Sequence, residues 1–171
     1  MIKRIRVWKE VIIGGIAKER LFQEYLKRGI DLDNDARAII EAQDFKNTPQ
    51  YRVKIGKNSL NELGVDEWLT WNDILDFLAA EGINKCTSEI AAHVRLHDLE
   101  QESGTICWYL MDALIDSEGY SIVLCNLRGG SSFGGLLGGA KPRLSAFCKP
   151  PHELCYPGTE VIYLVESTQL I

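Results

Sequence analysis

The sequence predicts a protein of the α+β class, with helices mainly in the N-terminal half and an antiparallel β-sheet mainly in the C-terminal half. Three observations predict it: a capped amphipathic helix over 70–81, two helical stripes before it, and strand-like segments bounded by proline and glycine after residue 139. With 171 residues, 46% hydrophobic and 25% charged, the chain can bury an apolar core without disulfides or metals. We therefore expect one α+β domain over residues 1–171.

The first elements are a strand and two helices. Residues 5–13 are strand-like and end at a pair of glycines. The helical stripe that follows them stops at Gly29, a residue suited to the position just after a helix. Asp31 or Asp33 can cap a second helix that runs to about residue 45.

The next two elements have clearer local patterns. Residues 51–56 alternate apolar and basic side chains with period two, which predicts a half-exposed strand. Thr70 followed three residues later by Asp73 resembles a capping box, and Gly82 suits the end of the helix that begins there. The apolar side chains expected on one face of this helix are Trp71, Ile74, Leu75, Leu78 and Ala79.

Two segments, 87–99 and 105–115, fit both a strand and a helix, because short apolar runs satisfy both periods. If both are strands, a turn at 116–119 joins the second to a strand at 120–127, and the C-terminal half forms an antiparallel sheet. If both are helices, they follow the capped helix in the order of a winged helix-turn-helix, with its core in 70–127.

Charge is distributed unevenly along the chain. Residues 1–30 carry a net charge of +5, whereas residues 60–119 hold thirteen acidic residues against Lys85 and Arg95, a net charge of −11. A recognition helix at 104–117 would carry no basic residue, so we do not expect nucleic-acid binding. A basic protein partner suits the acidic segment, and its expected contacts include Asp98, Glu100, Glu102, Asp112, Asp116 and Glu118.

Residues 128–143 form a glycine-rich segment, RGGSSFGGLLGGAKPR. It is not a nucleotide P-loop, because Ala140 stands where the second glycine belongs and Pro142 where the magnesium-binding hydroxyl belongs. Its apolar residues Phe133, Leu136 and Leu137 can fold back on the sheet as a hairpin connection, or they can anchor a partner. Strand-like segments follow at 143–150 and 159–167.

The five cysteines are odd in number and three lie in apolar runs, which predicts unpaired thiols in a reducing compartment. No apolar run reaches the ~18 residues of a membrane helix, and no signal peptide is recognisable, so we expect a cytoplasmic protein without membrane contact.

A weak zinc motif lies near the C-terminus. Cys148, His152 and Cys155 have workable spacing, but a structural site needs a fourth ligand. The alternative is a buried Cys148 beside a loop histidine. We therefore expect no cofactor, and the alternative is a protein that binds zinc. In that case the fold would have to bring Cys125, His93 or His97 close enough to act as the fourth ligand.

Taken together, these features favour a small acidic intracellular protein-binding module of the inhibitor, immunity or regulator type more than they favour an enzyme. It would recognise a basic partner through the acidic surface and the apolar-tipped glycine-rich loop. One alternative is a Cys/His-dependent enzyme or zinc protein that uses residues 148–155. Another is a transcriptional regulator of the winged-helix type.

Overall fold

The computed structural model describes residues 5–42, 49–129 and 141–169. Within these ranges the helices are α1 (Lys18–Lys27), α2 (Asn34–Ala42), α3 (Trp71–Ala80) and α4 (Ser88–His97), with a 3₁₀ turn at Asn61–Leu63. The strands are β1 (Val7–Ile13), β2 (Asp31–Leu32), β3 (Tyr51–Ser59), β4 (Leu69–Thr70), β5 (Ile106–Tyr109), β6 (Leu114–Ile115), β7 (Ser121–Arg128), β8 (Pro142–Cys148), β9 (Leu154–Cys155) and β10 (Glu160–Gln169).

Most strands belong to one large sheet. Its strand order is β1-β3-β10-β5-β7-β8-β2, and β6 adds to β7 beside this path. The neighbours are antiparallel except for two parallel pairs, β10 with β5 and β8 with β2. Strands β4 and β9 form a separate antiparallel pair. The α+β class is confirmed, but the sheet also takes up β1 and β3 from the N-terminal half and is only mostly antiparallel.

Helix α4 lies at the centre of the core. Every residue from Ser88 to Leu96 is buried, and the helix contacts α1, α2 and strands β1, β7 and β8. One hydrophobic cluster extends along the chain from Val11 to Tyr163. A helix covered on all sides needs no polar face, and this explains why the sequence of 87–99 did not distinguish a helix from a strand.

The winged-helix alternative in 70–127 is wrong. The first ambiguous segment is a helix, α4, whereas the second forms the strands β5 and β6, so neither predicted combination occurs. In β5, Cys107 and Tyr109 are buried and alternate with the half-buried Ile106 and Trp108, the period-two pattern of a strand. The recognition helix at 104–117 that this alternative requires is therefore absent.

The local helix signals were correct. The Thr70 Oγ1 atom accepts a hydrogen bond from the Asp73 amide at 3.3 Å, and Gly82 has a φ of 79° just beyond α3. Of the residues predicted on the apolar face, Ala79 is exposed and the others are buried. Asp33 caps α2, since its Oδ1 accepts from the Ala36 amide at 2.8 Å. No helix in the described part of the chain is long and apolar enough to cross a membrane.

Candidate partner-binding surface

The pair β4–β9 displays two aromatic rings and a leucine on its outer side. Leu69 lies opposite Cys155 and Thr70 opposite Leu154. Side chains on a strand alternate between its faces, so Leu69 and Cys155 face inwards, where Cys155 is buried and Leu69 packs on the core. The outer side then carries Leu154 with Trp68 and Tyr156, which directly flank the paired residues. We call Trp68, Leu154 and Tyr156 the aromatic face.

The aromatic face is both exposed and ordered by contacts. Trp68 is 57% exposed, Tyr156 59% and Leu154 51%. The two ring centroids are 5.4 Å apart with an interplanar angle of 50°, a favourable tilted arrangement. A methyl group at Gly158 would lie 2.3 Å from Cε1 of Tyr156, so this ring rests directly against the backbone there. The rings therefore present a defined shape to solvent.

The base of the aromatic face is tied to the protein interior. Lys149 is 7% exposed, and its Nζ lies 4.3 Å from the centroid of the Trp108 ring and 3.5 Å from Glu153 Oε1. The backbone amide of Asn61 also donates a 2.7 Å hydrogen bond to the Pro157 carbonyl. These contacts fix β9, with Leu154 in it and Tyr156 directly after it, against the rest of the fold.

Carboxylates accompany the aromatic face in the sequence. Asp66 and Glu67 immediately precede Trp68, and both are exposed. Asp73, in the first turn of α3, follows β4 and is also exposed. Glu153 precedes Leu154 and has its carboxylate near Lys149. The region therefore combines an apolar contact surface with acidic residues next to it.

The acidic residues expected to bind a partner lie in different environments. Asp98 is 3% exposed: its Oδ2 accepts a 2.9 Å hydrogen bond from Asn126 Nδ2 and lies 3.5 Å from Arg95 Nη1. Arg95, wholly buried, also donates to Gln101 Oε1 at 2.7 Å. Tyr109 donates to Asn126 Oδ1 at 2.7 Å. Because this buried network uses the Asp98 carboxylate, we do not include Asp98 in the proposed surface.

The other five predicted acidic residues are not brought together. Glu100 and Glu102 lie between α4 and β5, near the end of β7 where Arg128 donates to the Gln101 carbonyl. Asp116 and Glu118 lie in the turn before β7, at the strand's opposite end, where Asp116 Oδ1 accepts from the Glu118 and Tyr120 amides. The eight residues of β7 separate these two groups.

Asp112 forms an ion pair, with its Oδ1 2.8 Å from Lys85 Nζ. The apolar loop residues Phe133, Leu136 and Leu137 lie outside the described residues, so their part in binding stays a prediction. The described ends of that loop are at the same end of β7 as Glu100 and Glu102.

The possible zinc ligands do not form a metal site within the described residues, where no three His, Cys, Asp or Glu side chains lie close enough to hold an ion. Cys148 and His152 are exposed, so the expectation of a buried Cys148 is wrong, whereas Cys155 is buried. Burial raises the pKa of the Cys155 thiol and Lys149 offsets only part of this effect, so the geometry does not favour a reactive thiolate there. All five cysteines are unpaired.

Sequence reasoning missed Trp68 and Tyr156. Trp68 and Leu69, like Leu154, Cys155 and Tyr156, are consecutive apolar residues, so the sequence shows no alternation that would mark one exposed face. Each strand of this pair has only two residues, and a search for periodicity over a longer window cannot detect so short a strand.

Comparison with known proteins gives no relative to guide the interpretation. No protein-family model, no curated protein and no solved structure matches the chain.

Proposed function

We propose that this protein is a small protein-binding module of the inhibitor or regulator type, which recognises a basic partner through the aromatic face. The observation that carries the proposal is the pair Trp68 and Tyr156, whose rings contact each other at a tilt and are more than half exposed, with carboxylates next to them in the chain. Tryptophan and tyrosine are the residues most enriched among those that dominate binding energy at interfaces.

Apolar contact would supply most of the affinity. The two rings and Leu154 expose a surface that can be buried by an apolar side chain of the partner. Their contacts with each other and with the backbone at Gly158 reduce the conformational entropy that binding has to remove. The partner segment should therefore contain an aliphatic or aromatic residue that fits against Trp68 and Tyr156.

Charge would select the partner. Asp66, Glu67 and Asp73 are exposed, and a lysine or arginine from the partner could pair with them or lie over a ring face of the aromatic pair. Such charges mainly accelerate association and reject acidic partners, whereas the apolar contact slows dissociation. We infer that the bound segment carries basic residues next to its apolar residue.

The glycine-rich loop remains a proposed second contact. Its ends lie beside the exposed Glu100 and Glu102, which could attract basic residues there as well. Replacing Phe133 and Leu136 by alanine tests this contact separately from the aromatic face. The replacement should speed dissociation of the partner, and W68A/Y156A should weaken binding by the same factor whether or not these loop residues are replaced.

The main experiment uses the whole protein as bait with cell extract from its host, in parallel with the variant W68A/Y156A. Leu26→Ala is the control, since Leu26 is exposed on α1 and apolar but not part of the aromatic face. We expect a basic protein that the wild type and the control retain and the double variant loses. With that protein purified, the double variant should bind at least about thirty-fold more weakly, as expected when about 2 kcal/mol of contact energy is removed.

The charge contribution is tested with the variant D66N/E67Q, and Glu19→Gln is the control at an exposed residue of α1. We expect the double variant to slow association about three- to ten-fold at low salt and to leave dissociation almost unchanged. Equal retention of every basic protein by the wild type and W68A/Y156A would contradict the proposal. So would association that does not slow as the salt concentration is raised.

A further inference from the structure

A polar cleft lies between α1 and α4. It has a volume of about 390 Å³, and the β1–α1 turn closes one side of it. The polar side chains that line it are Arg20, Glu24, Arg28, Gln50, His93 and His97. We call this set the basic cleft. Its volume falls within the range of small-molecule sites, so it has room for more than a single ion.

Helical spacing produces this arrangement. Arg20, Glu24 and Arg28 follow one another at intervals of four residues along α1, and His93 and His97 have the same spacing on α4. Residues four apart lie on the same side of a helix. Helix α1 and its C-terminal cap therefore place two arginines, with Glu24 between them, opposite the pair of histidines on α4.

The floor of the basic cleft depends on glycine. Gly14 and Gly15 have φ values of 81° and 67°, in the left-handed region that favours glycine, and they turn the chain from β1 towards α1. A methyl group at Gly15 would lie 2.7 Å from Cγ of Gln50 and 3.1 Å from its Nε2. The absence of a side chain at residue 15 therefore lets the Gln50 amide lie over this turn.

Positive charge predominates in and beside the basic cleft. Glu24 is the one carboxylate among its described lining residues, and it is already paired with Lys27 at 2.9 Å and Arg28 at 3.8 Å. Arg28 also donates to the Leu96 carbonyl at 2.8 Å. The Arg20 side chain, by contrast, is exposed and makes no hydrogen bond or ion pair with any described residue, although its charge acts on the Glu24 carboxylate. It is therefore available to a ligand.

His93 offers a hydrogen-bonding atom that has no partner among the described residues. His93 is 5% exposed, and its Nε2 is buried with no hydrogen-bond partner in the described part of the chain. Burial, assisted by His97, lowers the pKa of His93 to about 4. Burial lowers the pKa of His97 too, and Arg28 and Lys9 contribute to this. A buried polar atom without a partner is costly unless a ligand or water satisfies it.

These groups do not suit a metal ion. The described residues contain no group of three possible metal ligands, and Arg20 and Arg28 would repel a cation. Lys9 lies close as well, since its Nζ donates to the His97 carbonyl at 2.6 Å. Guanidinium groups match the planar and charged oxygens of carboxylate and phosphate. The ligand chemistry is therefore that of an oxyanion.

We propose that the basic cleft binds a small organic molecule through a phosphate or carboxylate group. Arg20 makes the charged contact, and His93 and Gln50 contribute hydrogen bonds. This site is separate from the aromatic face. Gln50 precedes β3 and the turn that leads to Trp68 follows its end, so the segments that lead to the two sites leave opposite ends of a nine-residue strand, which spans about 26 Å at roughly 3.3 Å per residue.

The test is a titration of the purified protein with inorganic phosphate, sulfate, acetate and succinate, followed by NMR of the backbone amides and histidine rings. We expect saturable shifts at Gly14, Gly15 and the rings of His93 and His97 with at least one of these anions. Arg20→Gln should weaken that binding about ten-fold or more, because one charge-assisted hydrogen bond is removed.

The matched control is Arg6→Gln, which removes the same charge from an exposed arginine just before the far end of β1. It should change the affinity less than two-fold, since charges beyond about 8 Å are largely screened at physiological salt. His93→Gln, with its folding checked by thermal melting, is the second variant and should also weaken binding. Tighter binding of phosphate than of acetate and succinate would identify phosphate as the ligand group, and the reverse would identify carboxylate.

The proposal is overturned if none of the four anions gives saturable shifts up to about 10 mM. It is also overturned if Arg20→Gln and Arg6→Gln weaken binding equally, because the attraction would then be non-specific. W68A/Y156A should bind the anions like the wild type. Failure of the partner-binding proposal would therefore leave this result unchanged, and the two can be distinguished.

Discussion

Arg95 carries its charge inside the protein, with no part of its side chain exposed. Asp98 and Gln101 each contact its Nη1, while Nε and Nη2 have no hydrogen-bond partner among the described residues. Removing two ions from water costs several kcal/mol each, so such a pair adds little net stability. Breaking the pair is costly, however, because the remaining charge stays buried without compensation.

We therefore expect Asp98→Ala to lower the free energy of unfolding by about 3–5 kcal/mol. Glu100→Ala is the control: it is an exposed acidic residue two positions away and should change this energy by less than about 0.5 kcal/mol. Urea denaturation of the two variants measures the difference. Asp98→Asn should fall between them, since it keeps an acceptor for Asn126. Equal stability of the two alanine variants would mean that the buried pair is dispensable.

At the scale of elements, the packing of β10 against β3 depends on the absence of a side chain at Gly56. Gly56 of β3 is paired with Tyr163 of β10, and a methyl group on Gly56 would lie 2.3 Å from Cζ of that ring. Tyr163 is fully buried, and its hydroxyl donates to Asn58 Oδ1 at 2.8 Å. The ring lies in the space that the missing side chain leaves.

Gly56→Ala should lower the free energy of unfolding by about 1–3 kcal/mol, because the ring has to move from a well-packed position. The same substitution in a Tyr163→Val background should cost less, with a coupling energy of at least about 0.5 kcal/mol between the two sites. Chemical denaturation of the two single variants and the double variant gives this coupling. Additive effects would show that the ring is not what excludes a side chain at Gly56.

How much of each element the sequence predicts depends on how local its signal is. Helix α3 was predictable because Thr70, Asp73 and Gly82 mark its ends within the chain itself. Helix α4 was not assigned because it is buried on every side and so has no polar face. Strand β5 was not assigned because its short apolar run fits the period of a helix as well as that of a strand. The aromatic face was missed because it depends on the pairing of residues 69–70 with 154–155, which no local pattern encodes.

For the whole molecule, the hydrophobic cluster joins segments from both halves of the chain. It includes Val11 from β1, Ile90 from α4 and Tyr163 from β10, and the large sheet mixes early and late strands. Sharing one core among distant segments makes it difficult for one part to unfold while the rest stays intact. Folding also separates acidic residues that are near each other in the sequence. Glu100 and Glu102 lie at one end of β7, and Asp116 and Glu118 lie at its opposite end.

We expect a single unfolding transition in urea. Tryptophan fluorescence, which reports on all four tryptophans including the buried Trp71, and far-ultraviolet circular dichroism, which reports on the helices, should give the same midpoint and the same slope. W68A/Y156A should keep this behaviour, since both of its sites are largely exposed. Two separated midpoints would show instead that parts of the sheet unfold independently.

The place of β10 between β3 and β5 has a consequence for biosynthesis. A ribosome releases β1, β3 and β5 long before residues 160–169, yet β10 is the strand that bridges β3 and β5. Until it emerges, the nascent polypeptide holds two unfinished half-sheets whose open edges can pair wrongly with other chains. Chaperones that shield such edges during translation should therefore matter more for the yield of this protein than for one whose neighbouring strands follow one another in order.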